Sequence, residues 1–169
     1  PRWGKEWLFR TAWGFYGQPA FYREMRDPFG RLNPQVRAQR AWHYVLGADR
    51  SFRMDGRPFR FVAEAYYKDL RSIAPYELDN VRVRYLGKNN ARGYATGLDL
   101  RINGEFVGNL QSWASLSWMK TAEIIEGAVY TDTSGETRPV GYIPRPTDQR
   151  VMANIMFQDL LPSNPAYQV

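Results

Sequence analysis

The sequence lacks cysteine entirely and has no long hydrophobic run. Without cysteine, the chain has no disulfide framework, no thiolate metal site and no cysteine nucleophile. No uninterrupted run of hydrophobic residues exceeds three. Because a transmembrane helix needs about 20 mostly apolar residues, that kind of membrane protein is excluded.

Histidine is almost absent as well, and no common catalytic motif is present. His43 is the only histidine, and no HExxH, P-loop, GxGxxG or EF-hand pattern occurs. Asp132, Glu136 and Asp148 share one long connection but lack the regular spacing of a calcium loop. We therefore expect no enzymatic activity, no metal ion and no cofactor.

Apolar and polar residues alternate along much of the chain. Phe59, Phe61 and Tyr67 fall on one parity, whereas Arg60 and Glu64 fall on the other. Because successive side chains of a strand point to opposite faces, this pattern predicts strands with one apolar and one polar face. Six strands are predicted, near residues 7–15, 38–49, 58–69, 92–102, 110–121 and 148–159. Their length matches the roughly 9–11 residues of a tilted strand that crosses a membrane.

Short and long connections alternate strictly. Connections 50–57, 103–109 and 160–165 are short, and connections 16–37, 70–91 and 122–147 are long. Asp55-Gly56 and Asn103-Gly104 suit tight hairpin turns. Short periplasmic turns and long extracellular loops are typical of bacterial outer-membrane barrels. Aromatic residues near the strand ends suit the interfacial girdles of such a barrel: Trp7, Phe15, Trp42, Tyr67, Tyr94 and Trp118.

Two local alternatives remain open at this point. A soluble β-sandwich also alternates, with its apolar face turned to a core. Asn33-Pro34, followed by apolar positions up to Gly47, would also suit a capped helix. Glu123 and Glu126 flank Ile124-Ile125, and we expect both carboxylates to face solvent.

Several segments carry a family resemblance. They are YYKDL (66–70), PY (75–76), DNVRVRY (79–85), ARGYATGLD (91–99), WASLS (113–117) and GYIPRPTDQR (141–150), with LLP (160–162) after a strand. In these segments the chain resembles the C-terminal barrel of TonB-dependent receptors of the Bacteroidetes type. Residues 58–165 resemble it well, and residues 1–57 resemble it more loosely.

The resemblance implies a 22-stranded antiparallel transmembrane barrel with an N-terminal plug, in the bacterial outer membrane. Such receptors import ferric chelates, cobalamin, glycans or peptides with energy supplied through TonB. Six strands are fewer than the eight of the smallest barrels, and no plug or TonB-contacting segment is present. Residues 1–169 are therefore expected to be one part of a larger barrel. The expected partners are the rest of that barrel and its plug, TonB through the missing part, a surface lipoprotein, and outer-membrane lipid or lipopolysaccharide.

The polar residues of the alternating strands are the candidates for lining the barrel lumen. If the apolar faces meet lipid, the lumen-lining residues that contact plug or ligand are Arg10, Arg60, Glu64, Lys68, Asp99 and Arg101. The long loops supply residues for contact with ligand or lipopolysaccharide, namely Tyr22, Arg23, Arg26, Tyr85, Lys88 and Arg92. Guanidinium groups suit the phosphates of lipopolysaccharide because they bind them bidentately.

Two other functions compete with transport. Residues 1–60 hold 12 basic and 5 acidic residues, which would also suit a soluble all-β module that binds nucleic acid through arginines and aromatic rings. A passive structural or adhesion component of the cell surface is the other candidate. The transport hypothesis involves no nucleic acid.

Overall fold

The computed structural model describes residues 2–3, 7–161 and 164–168, with side chains from residue 7 to residue 159. It contains one large antiparallel sheet, whose six main strands we label β1 to β6. They are β1 (Trp7–Gln18), β2 (Gln39–Met54), β3 (Arg57–Ile73), β4 (Ala91–Val107), β5 (Leu110–Ile125) and β6 (Val151–Met156). Over the described residues, no helix is long and apolar enough to cross a membrane. The predicted all-β antiparallel class is confirmed, and each predicted strand overlaps an observed one.

The order of the six strands in the sheet is their order along the chain. Arg2–Trp3 adds two residues at the β1 edge, and Ile143–Pro144 pairs with β5 beside β6. Within the described residues, the sheet does not close on itself. Residues 39–47 form the first half of β2 rather than a helix.

In each main strand, every second residue is predominantly apolar, and the register places these residues on the same side of the sheet, which we call the apolar face. One row of directly opposed residues shows this: Thr11, Leu46, Ala65, Leu98, Trp118 and Val151. A neighbouring row on the other side, the polar face, contains Arg10, Gly47, Glu64, Asp99, Ser117 and Met152. Because all five pairs of neighbouring strands are in phase, the sheet has one continuous apolar face and one continuous polar face.

In the central parts of β2, β3 and β5 the apolar face is the more exposed of the two, whereas β1 and β6 are largely exposed on both faces. In β2, Tyr44 and Leu46 are 50% and 57% exposed, whereas Val45 is half-buried and Asp49 is buried. A water-soluble antiparallel sheet normally buries its apolar side against a core. This sheet has the reverse arrangement.

The buried hydrophobic residues lie at the strand ends rather than in a central layer. In the described part of the chain they are Phe59, Ile73, Ala74, Ala91, Leu110 and Ala122. Phe59 departs from the outward-facing row that the alternation predicts, because the rings of Phe52 and Phe106 cover it at centroid distances of 5.7 and 5.1 Å.

One of the two predicted hairpin turns is confirmed, and the other is wrong. Asp55 and Gly56 have φ values of 52° and 77°, as a two-residue hairpin turn requires. Asn103 and Gly104 lie inside β4 instead, and the chain reverses at residues 108–109. Gly104 is a close-approach position, because a Cβ there would overlap the Phe59 ring. In the third predicted turn, residues 160–161 pair with 164–168, and residues 162–163 lie outside the described residues.

The long connections lie together at the opposite end of the sheet. The second contains a hairpin of Tyr76–Asp79 and Arg82–Tyr85, and the third contains one of Val129–Thr131 and Thr137–Pro139. We refer to residues 19–38, 74–90 and 126–150 as the first, second and third loops.

Candidate functional site

A large concavity lies mainly on the polar face of the sheet, towards the short turns. It has a volume of about 1030 Å³. Four of the six predicted lumen residues line it: Arg60, Glu64, Asp99 and Arg101. Alternation alone therefore predicts that these charged residues of β3 and β4 lie on the same face of the sheet.

Arg10, the fifth predicted residue, reaches this group from β1. Its Nη2 donates to Glu64 Oε1 at 3.1 Å, although β2 lies between their strands. The intervening residue is Gly47, where a Cβ would lie 3.0 Å from Arg10 Nε. The missing side chain at Gly47 leaves the space in which the pair forms.

A second ion pair joins β2 and β3 on the same face. Asp49 is 6% exposed and accepts hydrogen bonds from Arg60 Nε at 3.1 and 3.0 Å. A buried carboxylate needs such a partner, since an unpaired buried charge is costly. Asp49 therefore fixes Arg60 against the sheet.

Asp99 is the carboxylate of this group with the fewest partners. It stands directly opposite Glu64, and Glu64 is the one that Arg10 neutralises. Over the described residues, Asp99 forms no ion pair of its own. Two like charges opposite each other destabilise a sheet. Asp99 is thus suited to accept a hydrogen bond or a cation from a molecule in the concavity.

Arg101 is held beside an aromatic ring. Its Nε donates to Asn103 Oδ1 at 2.9 Å, and its guanidinium lies 5.0 Å from the Trp113 ring centroid. Stacking of this kind keeps the guanidinium plane fixed while its other donors stay available. The polar face thus offers positioned donors from Arg101 and a carboxylate, that of Asp99, which forms no ion pair with the described residues.

Lys68, the sixth predicted residue, lies apart from the other five, in a pocket of about 540 Å³ near the loops. Its Nζ is 5.3 Å from the Tyr66 ring centroid. His43 lines the same pocket and contacts the Tyr16 ring at 4.3 Å. This second pocket therefore lies at the loop end of the polar face.

Two charged residues of this pocket region were missed by sequence reasoning. Arg145 donates to Glu123 Oε2 at 3.0 Å, and Glu123 is only 3% exposed. The expectation that Glu123 faces solvent is wrong, because the third loop returns along β5 and covers it. No spacing in the sequence connects these two residues.

The predicted loop residues fall into two groups. Arg26 lies 4.6 Å from the Tyr22 ring centroid and donates to the Tyr22 hydroxyl and to Gly30 O. Burial raises the pKa of Tyr85, and the charge of Glu24 raises it further, whereas Arg23 opposes the rise. Tyr85 of the second loop therefore lies close to charged residues of the first loop.

The remaining two loop predictions have different outcomes. Lys88 is exposed in the second loop. Arg92 was expected in a loop but is the second residue of β4, directly opposite Ile124 of β5. Its strand position follows from the pairing of β4, which continues to Ala91.

Asparagine side chains connect the three loops. Asn89 Nδ2 donates to Arg37 O at 3.0 Å and to Ser72 O at 2.7 Å. Asn90 Nδ2 donates to Glu126 O at 3.2 Å. The loops therefore form one connected surface rather than three independent segments.

The acidic residues of the third loop do not come together. Asp132 Oδ1 accepts hydrogen bonds from Ser134 and from the Glu136 amide, and the Ser134 hydroxyl contributes most to lowering the pKa of Asp132. Asp148 instead accepts from the Thr121 amide at 2.7 Å. No cluster of three metal-binding side chains occurs among the described residues.

Two aromatic groups border the apolar face. The turn-end group pairs Phe52 with Phe59, and the loop-end group pairs Trp13 and Phe15 with Trp42. Tyr67, Tyr94 and Tyr142 extend the loop-end group across the sheet. In β2 the two groups are ten residues apart, which is about 33 Å along the strand.

Comparisons with protein-family models, with curated proteins and with solved structures found no match for this chain.

Proposed function

We propose that this chain is the C-terminal part of a TonB-dependent transporter barrel in a bacterial outer membrane. In this proposal the six strands add to those of a larger barrel. The apolar face contacts lipid, and the polar face lines the lumen around a plug. The observation that carries the proposal is the reversed burial of the sheet, with exposed apolar residues in a band bordered by aromatic rings.

At the strand tilt of about 40° found in outer-membrane barrels, a band about 33 Å long along the strand would be about 25 Å tall. Outer-membrane barrels carry an apolar belt about 25 Å tall between two aromatic girdles. In the central row, Leu46, Ala65 and Leu98 are small or aliphatic, and ring pairs stand at both ends. Trp118 lies opposite Leu98 in that row and not at a strand end, so its predicted girdle position is wrong. A soluble protein that exposed such a face would be prone to association.

The polar face supports a lumen that handles a polar solute. Arg10 pairs with Glu64 and Arg60 pairs with Asp49, so these four charges neutralise one another on the polar face. Asp99 and Arg101 are the positions left to contact the plug or a passing ligand. Gated passage of a ferric chelate, cobalamin, glycan or peptide needs binding groups of this kind and no bond-making chemistry.

Fractionation of cells that express the full-length polypeptide tests the location. We expect the protein in the outer-membrane fraction, resistant to alkaline carbonate and released by detergent. Recovery of a folded, monomeric and water-soluble protein would contradict the proposal. In that case, binding of single-stranded nucleic acid that falls steeply with added salt would favour the soluble module.

Dependence on energy separates transport from a passive surface role. Deletion of the gene in its natural host should abolish uptake of one scarce nutrient, and deletion of TonB should abolish the same uptake. Uptake that persists without TonB would indicate a passive channel. Normal uptake of every tested nutrient class, with loss of surface attachment, would favour adhesion.

A further inference from the structure

We propose that Arg40, Arg71 and Arg92 form a binding site for the phosphate groups of a membrane lipid, at the loop end of the apolar face. The inference rests on the proposed function, because it requires this face to meet lipid. Arg92 was predicted to contact ligand or lipopolysaccharide from a loop, and here it acts from a strand, together with Arg40 and Arg71.

The three arginines are neighbours on β2, β3 and β4. Arg40 is directly opposite Arg71. The register between β3 and β4 then shifts, so that Arg71 and Ser72 together face Arg92. Ser72 has a φ of 53°, as a bulge residue can. All three arginines are exposed.

The row carries more positive charge than the chain neutralises. Arg71 Nε contacts Asp69 Oδ2 at 2.9 Å. In the described part of the chain, neither Arg40 nor Arg92 forms an ion pair. Like charges directly opposite each other destabilise a sheet, so a row of this kind is costly unless an anion occupies it.

Space for such an anion exists beside the row. The residue of β1 opposite Arg40 is Gly17, and a Cβ added there would meet no atom within 4 Å. A phosphate can therefore approach the guanidinium groups from outside the sheet. Arginine binds phosphate through two parallel N–H donors, which gives short and strong hydrogen bonds.

The position of the row identifies the phosphate as that of a lipid. Arg40 is two residues beyond Trp42, and Arg92 is two residues beyond Tyr94, so the row lies about 7 Å beyond the loop-end rings. Aromatic rings of a membrane protein sit at headgroup level. A lipid with acyl chains on the apolar face would place its phosphates at the arginines.

Lipid A, which carries two phosphates on a glucosamine disaccharide, is the probe that tests this site. The full-length protein in detergent is titrated with lipid A and, in parallel, with lipid A from which both phosphates are removed. Bound lipid is counted by native mass spectrometry. The test variant is Arg40→Gln with Arg92→Gln, which leaves the Arg71–Asp69 pair intact. The matched control is Arg53→Gln with Arg82→Gln, which removes the same charge elsewhere.

We expect the test variant to bind phosphorylated lipid A at least tenfold more weakly than the wild type and the control do. Dephosphorylated lipid A should bind the wild type and both variants equally. Equal weakening in the two variants, or equal affinity of the wild type for both lipids, would overturn the proposal. The proposal would also be overturned if millimolar inorganic phosphate displaced bound lipid A as effectively as added lipid A does. The site would then be one for a free anion. A wild type that stays folded in water and binds no detergent would refute the proposed function as well.

Discussion

Gly47 shows how one missing side chain determines which charges meet on the polar face. The Arg10 side chain crosses β2 above Gly47 to reach Glu64. The alternation of the sequence predicts that Arg10 and Glu64 share a face, because parity alone decides the face. It does not predict that they pair, since the pair depends on a glycine in the strand between them.

Valine at position 47 should disrupt this arrangement. Its side chain would occupy the space of Arg10 Nε and Cγ, which a Cβ would meet at 3.0 and 3.3 Å. The Arg10 side chain would have to move away from Gly47, and its hydrogen bond to Glu64 would be lost. We expect a lower urea midpoint for the Gly47→Val protein in detergent or lipid vesicles. The matched control is Gly17→Val, whose site is open. Equal midpoints for the two variants would contradict the role of Gly47.

Asp148 should make the anchoring of the third loop sensitive to acid. Its pKa is lowered chiefly by the hydrogen bond from the Thr121 amide and further by Arg150, against a smaller opposing effect of burial. A carboxyl group whose pKa is lower in the folded state than in the unfolded state stabilises the fold at pH values above its unfolded pKa, which is near 3.8. This stabilisation is lost as the pH falls through the folded pKa.

Hydrogen exchange of the Thr121 amide measures this effect. Its protection should be constant from pH 7 to pH 5, after correction for intrinsic exchange, and should fall below pH 4. Asp148→Asn should have weaker protection at pH 7 and no acid-dependent step. A step that persists in Asp148→Asn would show that another group titrates.

At the scale of the elements, the strands could be predicted and the exact turns could not. Alternation extends over many residues and survives local exceptions, so each predicted strand overlaps an observed one. Asn103-Gly104 has turn chemistry, but pairing with β3 and packing of Phe59 against Gly104 keep both residues in β4. The burial of Glu123 depends on the return of a loop about twenty residues later, which no local pattern records.

The two faces of β4 should respond differently to charge. Leu98 is on the apolar face in the middle of the band, and Asp99 is on the polar face. A cation facing lipid at the bilayer midplane costs about 2–4 kcal/mol. We therefore expect Leu98→Arg to reduce assembly strongly, whereas Asp99→Ala assembles normally. The heat-modifiable mobility of the folded barrel on gels measures assembly.

A second pair of neighbours on β3 serves as the replicate. Ala63→Arg should behave like Leu98→Arg, and Glu64→Ala should behave like Asp99→Ala, because their parities match across the two strands. Equal effects at the two parities would mean that the faces are wrongly assigned.

The asparagine contacts between the loops make a third prediction at this scale. Asn89→Ala removes the hydrogen bonds of its side chain to Arg37 and Ser72. We expect limited proteolysis to cut the first and second loops several-fold faster in this variant. Lys88→Ala, at the exposed neighbouring residue, should leave the rate unchanged. A similar increase in both variants would show that Asn89 does not connect the loops.

For the whole molecule, the proposal requires that one face of the sheet touches acyl chains. Trp13 and Trp118 are on the apolar face and are 74% and 59% exposed, whereas Trp113 is on the polar face. In vesicles, lipids brominated in the middle of the acyl chain should quench the fluorescence of a variant that retains only Trp118. A variant that retains only Trp113 should be quenched several-fold less.

Depth can be measured in the same experiment. Trp42 belongs to the loop-end aromatic group, and Trp118 belongs to the central row. Bromine near the headgroup should quench Trp42 better than bromine in mid-chain, and the order should reverse for Trp118. Quenching of all these residues by aqueous iodide, with none by brominated lipid, would contradict a lipid-facing sheet.

The strand order has a consequence for how the molecule acquires its structure. Because each main strand pairs with the strand that precedes it in the chain, no strand has to wait for a distant segment before it finds a partner. Contacts between sequence neighbours have low loop-closure cost and form quickly. The sheet can therefore grow by one hairpin at a time, from any of its consecutive strand pairs.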